Sequence, residues 1–119
     1  MAVLWGSALL SAAVDNIPYV AAMNPLIVDL ARSLHPEITD YATLVHHADI
    51  IPLWWALALG ACLGGNGTII ETSTNVVIVD LARKTGYQIT FWQFFKYGCP
   101  VMMGSVALSA VYLWFVFLR

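Results

Sequence analysis

Two short polar strings break an otherwise apolar chain, and they hold most of its chemistry. The first is Asp15-Asn16, followed by Pro18; the second is Gly64-Gly65-Asn66-Gly67-Thr68, followed by Glu71, Ser73 and Asn75. A carboxylate can carry a proton or coordinate a cation. An amide offers its oxygen to a cation and its N–H groups to an anion or a hydroxide. Polar groups of this kind inside apolar segments are costly to keep and mark ion or substrate paths. Asp15, Asn16, Gly65, Asn66, Gly67, Thr68, Glu71, Ser73 and Asn75 are therefore the candidate ion- or substrate-binding residues. No nucleophile with its base, phosphate loop or redox motif accompanies them, so no catalytic residue, enzyme activity or cofactor is expected.

Each candidate also has a purely structural use. Asp15 can cap a helix whose first turn holds Pro18. Asn16, Asn66 and Asn75 can join helices by hydrogen bonds within a membrane. Thr68-Ile69-Ile70-Glu71 has the spacing of a capping box, in which Glu71 would satisfy the free amides of a helix start. An ionised Glu71 there would offset the positive helix end and disfavour a divalent carboxylate against a cation or a neutral hydroxide. A further cluster, His35, His46, His47 and Asp49, tempts toward metal binding. Adjacent histidines seldom share one ion and the spacing fits no zinc pattern, so these residues read as a solvated loop and no metal site is expected among them.

The elements that must position these groups follow from composition and length. Of 119 residues, 61% are hydrophobic and only 10% charged, against about 25% charged in soluble domains. A chain this short cannot bury that much apolar surface, so lipid is its expected solvent. A formal net charge of −2 excludes a nucleic-acid partner, which needs a basic stripe. Cys62 and Cys99 sit in apolar runs and read as small hydrophobes.

A spanning helix needs about 20 apolar residues. Val101–Leu118 meets that requirement. Ala2–Val14 reaches only about 20 Å as a helix, and Tyr19–Ala31 is as short. Joined by a polar turn, they are expected to form a re-entrant hairpin over residues 1–33. Ile51–Lys84 would reach about 50 Å and is broken by its glycines, so residues 51–85 read as one discontinuous span. Arg83 and Lys84 close it, with Gly86 placed for a left-handed cap. Residues 34–50 form an outer loop. Residues 86–98, aromatic and opened by Thr90 and Gln93, read as an interfacial helix before a final spanning helix over 99–119. Arg83, Lys84 and Lys96 put the 86–98 stretch in the cytoplasm. The strings NPLIVDLAR (Asn24–Arg32) and NVVIVDLAR (Asn75–Arg83) echo each other and read as helices leaving the membrane centre for opposite faces. The fold expected is all-α and membrane-integral, and a hairpin with a broken helix points to a secondary transporter.

The strings SAAVDNIPYVAAMNPLI, GACLGGNGTIIETSTNVV and GYQITFWQFFKYGCPVMM also carry a resemblance. They resemble the arsenite-pump and NhaD-type sodium–proton antiporter branch of the ion transporter superfamily, with the pigment-cell P protein and citrate and dicarboxylate permeases as relatives. The resemblance covers nearly the whole chain but only the carboxy-terminal repeat of such a protein. It implies a citrate transporter-like domain built of two inverted repeats, of which this is the second. Ser11, Asp15, Asn16 and Pro18 match the hairpin tip. Gly64, Gly65, Asn66, Gly67, Thr68, Ser73 and Asn75 match the broken helix. Glu71 departs from the pattern, standing where that branch has a small glycine.

The function implied is movement of an inorganic ion or oxyanion, by arsenite efflux or sodium–proton antiport, with sodium or a proton as coupling ion. Sodium is a candidate for the oxygens of Asn16 and Asn66. The expected setting is the inner or plasma membrane, multi-pass, with the first repeat or a partner subunit completing the site and a homodimer as the full assembly. The competing expectations are a non-transporting truncated fragment or small subunit, a channel, and a sodium-coupled carboxylate permease.

Overall fold

A computed structural model describes all residues, 1–119, and they form helices with no strand. Six α-helices follow in order: α1 (Ala2–Ser11), α2 (Asn16–Leu34), α3 (Tyr41–Val45), α4 (Ile51–Gly64), α5 (Ser73–Lys84) and α6 (Phe91–Leu113), the last running on through a π-helical turn to Leu118. The chain measures 60 × 28 × 16 Å. At 16 Å it is barely thicker than one helix with its side chains, about 10–12 Å. Only 19 residues are buried as a result, while Leu9, Ile17, Ile70, Trp92 and Leu108 lie exposed. Such an exterior suits lipid or further protein rather than water.

Close backbone approach holds the centre together. Gly60 and Gly64 lie one turn apart on α4, facing Ser7 and Ser11 of α1. A methyl group at Gly60 would stand 2.7 Å from Ser7 Cβ, and one at Gly64 would stand 2.6 Å from the Ala8 carbonyl oxygen. Paired small residues at this spacing let two helices pack by their backbones, the usual means of helix association where lipid removes the hydrophobic drive. Leu4, Ala8, Ala56, Met102, Val106 and Leu113 form the core of α1, α4 and α6. A second cluster, Ile27, Ala31, Leu44, Ile50 and Leu57, joins α2 and α3 to α4.

Several ends follow their sequence signals. The Asp15 carboxylate caps α2 by accepting from the Ile17 amide at 3.4 Å. Thr90 and Gln93 form the reciprocal capping box that opens α6. Gly86 has φ +95°, and the Tyr87 and Gly86 amides donate to Ala82 and Arg83 carbonyls in a Schellman closure of α5. Asp40 caps α3 by accepting from the Thr43 hydroxyl and amide, and those bonds, the hydroxyl's first, hold its carboxyl below the usual aspartate range.

Three elements differ from the sequence reading. With its cap at Asp15, α2 begins at Asn16 and carries through Pro25 to Leu34, so its 19 residues reach about 28 Å rather than the short arm expected. The stretch 86–98 is not a helix apart from the last span. Phe91–Leu118 runs on as one 28-residue helix, because Pro100 costs one internal hydrogen bond without ending it. The second half-helix starts at Ser73, capped by the Thr72 hydroxyl bonded to the Asn75 amide, which leaves Glu71 outside it.

Candidate functional site

Between the end of α4 and the start of α5, residues 65–72 run without regular helix, and the turn of residues 12–15 at the end of α1 lies against them. The Thr68 hydroxyl donates to the Ala12 carbonyl at 2.6 Å and stitches the two polar strings together. Asn75, one turn into α5, sends its amide nitrogen back to the Gly65 carbonyl at 2.8 Å and the Thr68 carbonyl at 2.9 Å. One side chain thus satisfies two carbonyls that an unbroken helix would have paired. Gly98 of α6 crosses directly against the Asn66 carbonyl, and a side chain there would collide with it.

Glu71 is the least expected of these residues. Its carboxyl is enclosed, 1% exposed, and packs straight onto Gly65 where any β-carbon would fall. Its Oε1 lies 2.8 Å from the Ser11 hydroxyl, while Oε2 has no partner. The same hydroxyl lies 2.8 Å from the Ala61 carbonyl. Ser11 has one proton for these two acceptors, so both contacts are hydrogen bonds only when Glu71 brings a proton of its own. The capping box expected of Thr68 and Glu71 does not form. Thr72 takes the cap, and Glu71 turns to α1 instead.

The remaining candidates are spread around this centre. Asp15 is exposed at the tip and Asn16 is half-buried as the first residue of α2. Asn66 is exposed and lines a cleft of about 480 Å³ with Gln93, Phe94 and Tyr97 of α6. Gly67 is buried beneath Met102, and Ser73 is exposed at the start of α5. No hydrogen bond joins Asn16 to Asn66, the two residues named as candidates for sodium. Sequence reasoning reached Ser11 by resemblance alone. Its spacing from Ser7, matched by Gly60 and Gly64, was the signal that it lies on a helix seam.

The histidines divide. His46 turns its Nδ1 to the Ala42 carbonyl at 2.8 Å, away from its neighbours. His35, at the end of α2, meets His47 with ring centres 4.2 Å apart, and Asp49 faces both. The loop that was expected to be merely solvated therefore has internal order.

No family model and no solved structure matches the chain. Curated relatives do. Over 111 residues, 93% of the chain, it is 47% identical to the protein named P protein of Mus musculus. Over 112 residues it is 44% identical to a 46 kDa membrane protein of Mycobacterium leprae, and equally so to an uncharacterized transporter of Mycobacterium tuberculosis. The chain spans 12% of the length of the P protein and 24% of the mycobacterial proteins. In sequence it is thus similar, nearly end to end, to one stretch of larger proteins among which several are named transporters.

Proposed function

We propose that this chain is the carboxy-terminal, second inverted repeat of a secondary active transporter that moves an inorganic ion or oxyanion. One observation carries the reading. The unwound residues 65–72 are tied to the α1–α2 turn through Thr68 and to α5 through Asn75, so two helix interruptions meet at one place. Secondary transporters bind substrate and coupling ion where half-helix ends and unwound backbone meet inside the membrane. In this reading α1 and α2 are the hairpin, with a second arm longer than the short one expected, α4 and α5 the broken span and α6 the final span. Asp15, Asn16, Asn66, Thr68 and the free backbone groups form half of the site, and the first repeat supplies the rest.

Between sodium and a proton as coupling ion, Glu71 favours the proton. It is an enclosed carboxyl whose contacts with Ser11 and Ala61 close only with a proton on it.

The test is transport by the full-length protein in liposomes, with arsenite and sodium ions as probes under an imposed pH gradient. The expected result is gradient-driven flux of one probe, with Glu71→Gln retaining exchange but losing the response to the gradient. Absence of flux of either probe under both pH and sodium gradients would sink the transporter reading. Full pH coupling in Glu71→Gln would remove Glu71 from it.

A further inference from the structure

The outer loop gathers a second polar centre, on residues that the transport site does not use. His35 is the residue that ends α2, and its Nδ1 lies 3.2 Å from Glu37 Oε1. That carboxylate can only accept, so Nδ1–H donates to it and the neutral tautomer carries its lone pair on Nε2. This Nε2 faces Asp49 Oδ2 at 3.4 Å. His47 Nδ1 faces the same oxygen at 3.6 Å and accepts from the Asp49 amide at 3.4 Å, which marks it too as a lone-pair atom. Three electron-donating atoms, His35 Nε2, His47 Nδ1 and an Asp49 oxygen, thus lie within 4.8 Å of one another. Without a cation between them their lone pairs confront each other.

We propose that His35, His47 and Asp49 bind a divalent transition-metal ion of the zinc type. Tetrahedral ligands at zinc distances stand about 3.4 Å apart, close to the 3.4 and 3.6 Å from the two rings to Asp49 Oδ2, while the three atoms together span no more than 4.8 Å. Two imidazoles and one carboxylate suit zinc better than magnesium or calcium, which prefer oxygen alone. Glu37 has the place of an outer-shell carboxylate, fixing the tautomer and angle of a ligating histidine. Asp49 is mostly exposed, which leaves the fourth position to water. His46, bonded to Ala42, takes no part.

The consequence reaches the fold. His35 ends α2, and His47 and Asp49 lie just before α4 begins at Ile51. A shared ion fastens these two helices outside the cluster of Ile27, Leu44, Ile50 and Leu57. Zinc would restrain the movement of α2 against α4, and so regulate whatever motion the hairpin makes.

The test adds zinc chloride to the full-length protein in lipid nanodiscs, counts bound metal after desalting, and records the visible spectrum with cobalt in its place. The wild type is expected to hold an equivalent that His35→Ala and His47→Ala each lose, to melt at higher temperature with zinc, and to give a tetrahedral cobalt spectrum. Glu37→Gln should weaken binding roughly ten- to a hundred-fold, and His46→Ala should leave it unchanged. Should His35→Ala fail to fold, Asp49→Asn, altered at an exposed carboxylate, takes its place. Metal content equal in wild type, His47→Ala and Asp49→Asn would overturn the proposal, as would an equal loss in His46→Ala. Binding is read apart from transport, so neither result depends on what the protein carries.

Discussion

Asn24–Arg32 in α2 and Asn75–Arg83 in α5 are nearly the same string, yet the molecule treats them in opposite ways. Ile27 is 2% exposed beneath α3 and α4, whereas its counterpart Ile78 is 53% exposed. Ala31 is wholly buried, and α5 contributes no buried residue at all. The polar ends differ in the other direction. Asn24 is exposed, while Asn75 holds the unwound backbone through Gly65 and Thr68. Even the surface ion pairs part, Asp29 with Arg32 three residues on and Asp80 with Lys84 four residues on. One pattern makes a helix in both places. What covers that helix depends on the chain around it, and α5 is left with its apolar side bare.

The largest test of this contrast is truncation of the matched isoleucines. Ile27→Ala should cost about 2–5 kcal/mol, the usual range for a large aliphatic side chain removed from a core. Ile78→Ala in this chain alone should fall within about 0.5 kcal/mol of wild type. Thermal melts in detergent read both. If the two variants lose stability equally, then α5 packs against something in the chain after all. In the full-length protein the gap should narrow, because α5 is then expected to gain a cover.

The asparagines should reverse the order. Asn75→Ala leaves the Gly65 and Thr68 carbonyls unpaired and should cost about 1–3 kcal/mol, with faster amide exchange across residues 65–72. Asn24→Ala should change little. A comparable effect is expected at Gly65, where Gly65→Ala pushes a methyl onto the Glu71 carboxyl. That collision should cost about 1–3 kcal/mol if the carboxyl stays, and less if it swings out. Glu71→Gly together with Gly65→Ala should recover most of the loss, since the obstruction is gone; no recovery would mean that Glu71 does not fill that space.

The smallest expected effect is acid fraying of α3. Asp40 has its carboxyl lowered by bonds to Thr43, so its contribution is present above the ordinary aspartate range and fades as pH falls through the lowered value. Helicity over Tyr41–Val45 should decline at that acid end and nowhere higher. Asp40→Asn, which still caps, should abolish the pH dependence while keeping the helix.

Much of the fold was legible because its signals are local. Asp15 and Pro18 start a helix, Thr90 and Gln93 start another, and Gly86 ends one, each by a contact within a few residues. The break at the glycines was legible for the same reason. The division of 86–98 from the last span misled because an aromatic, interfacial composition does not end a helix, and α6 runs straight on through Pro100. Glu71 misled because its spacing from Thr68 satisfies a local rule while a distant residue, Ser11, competes for the carboxyl across sixty positions of sequence. For the histidines the sequence said only that the adjacent pair would not act together; that His35 meets His47 across the loop came from the fold.

Sequence alone determined that the chain is helical, that it breaks at Asp15 and at the glycines, and that its surface is too apolar for water, because composition and capping are properties of short stretches and of the whole composition. Only tertiary structure decided that Gly60 and Gly64 seat α1, that Glu71 lies sealed against Ser11, and that α2 is covered while α5 is bare. Those outcomes depend on which surfaces meet, and a one-dimensional pattern shared by two helices cannot say which of them will find a neighbour.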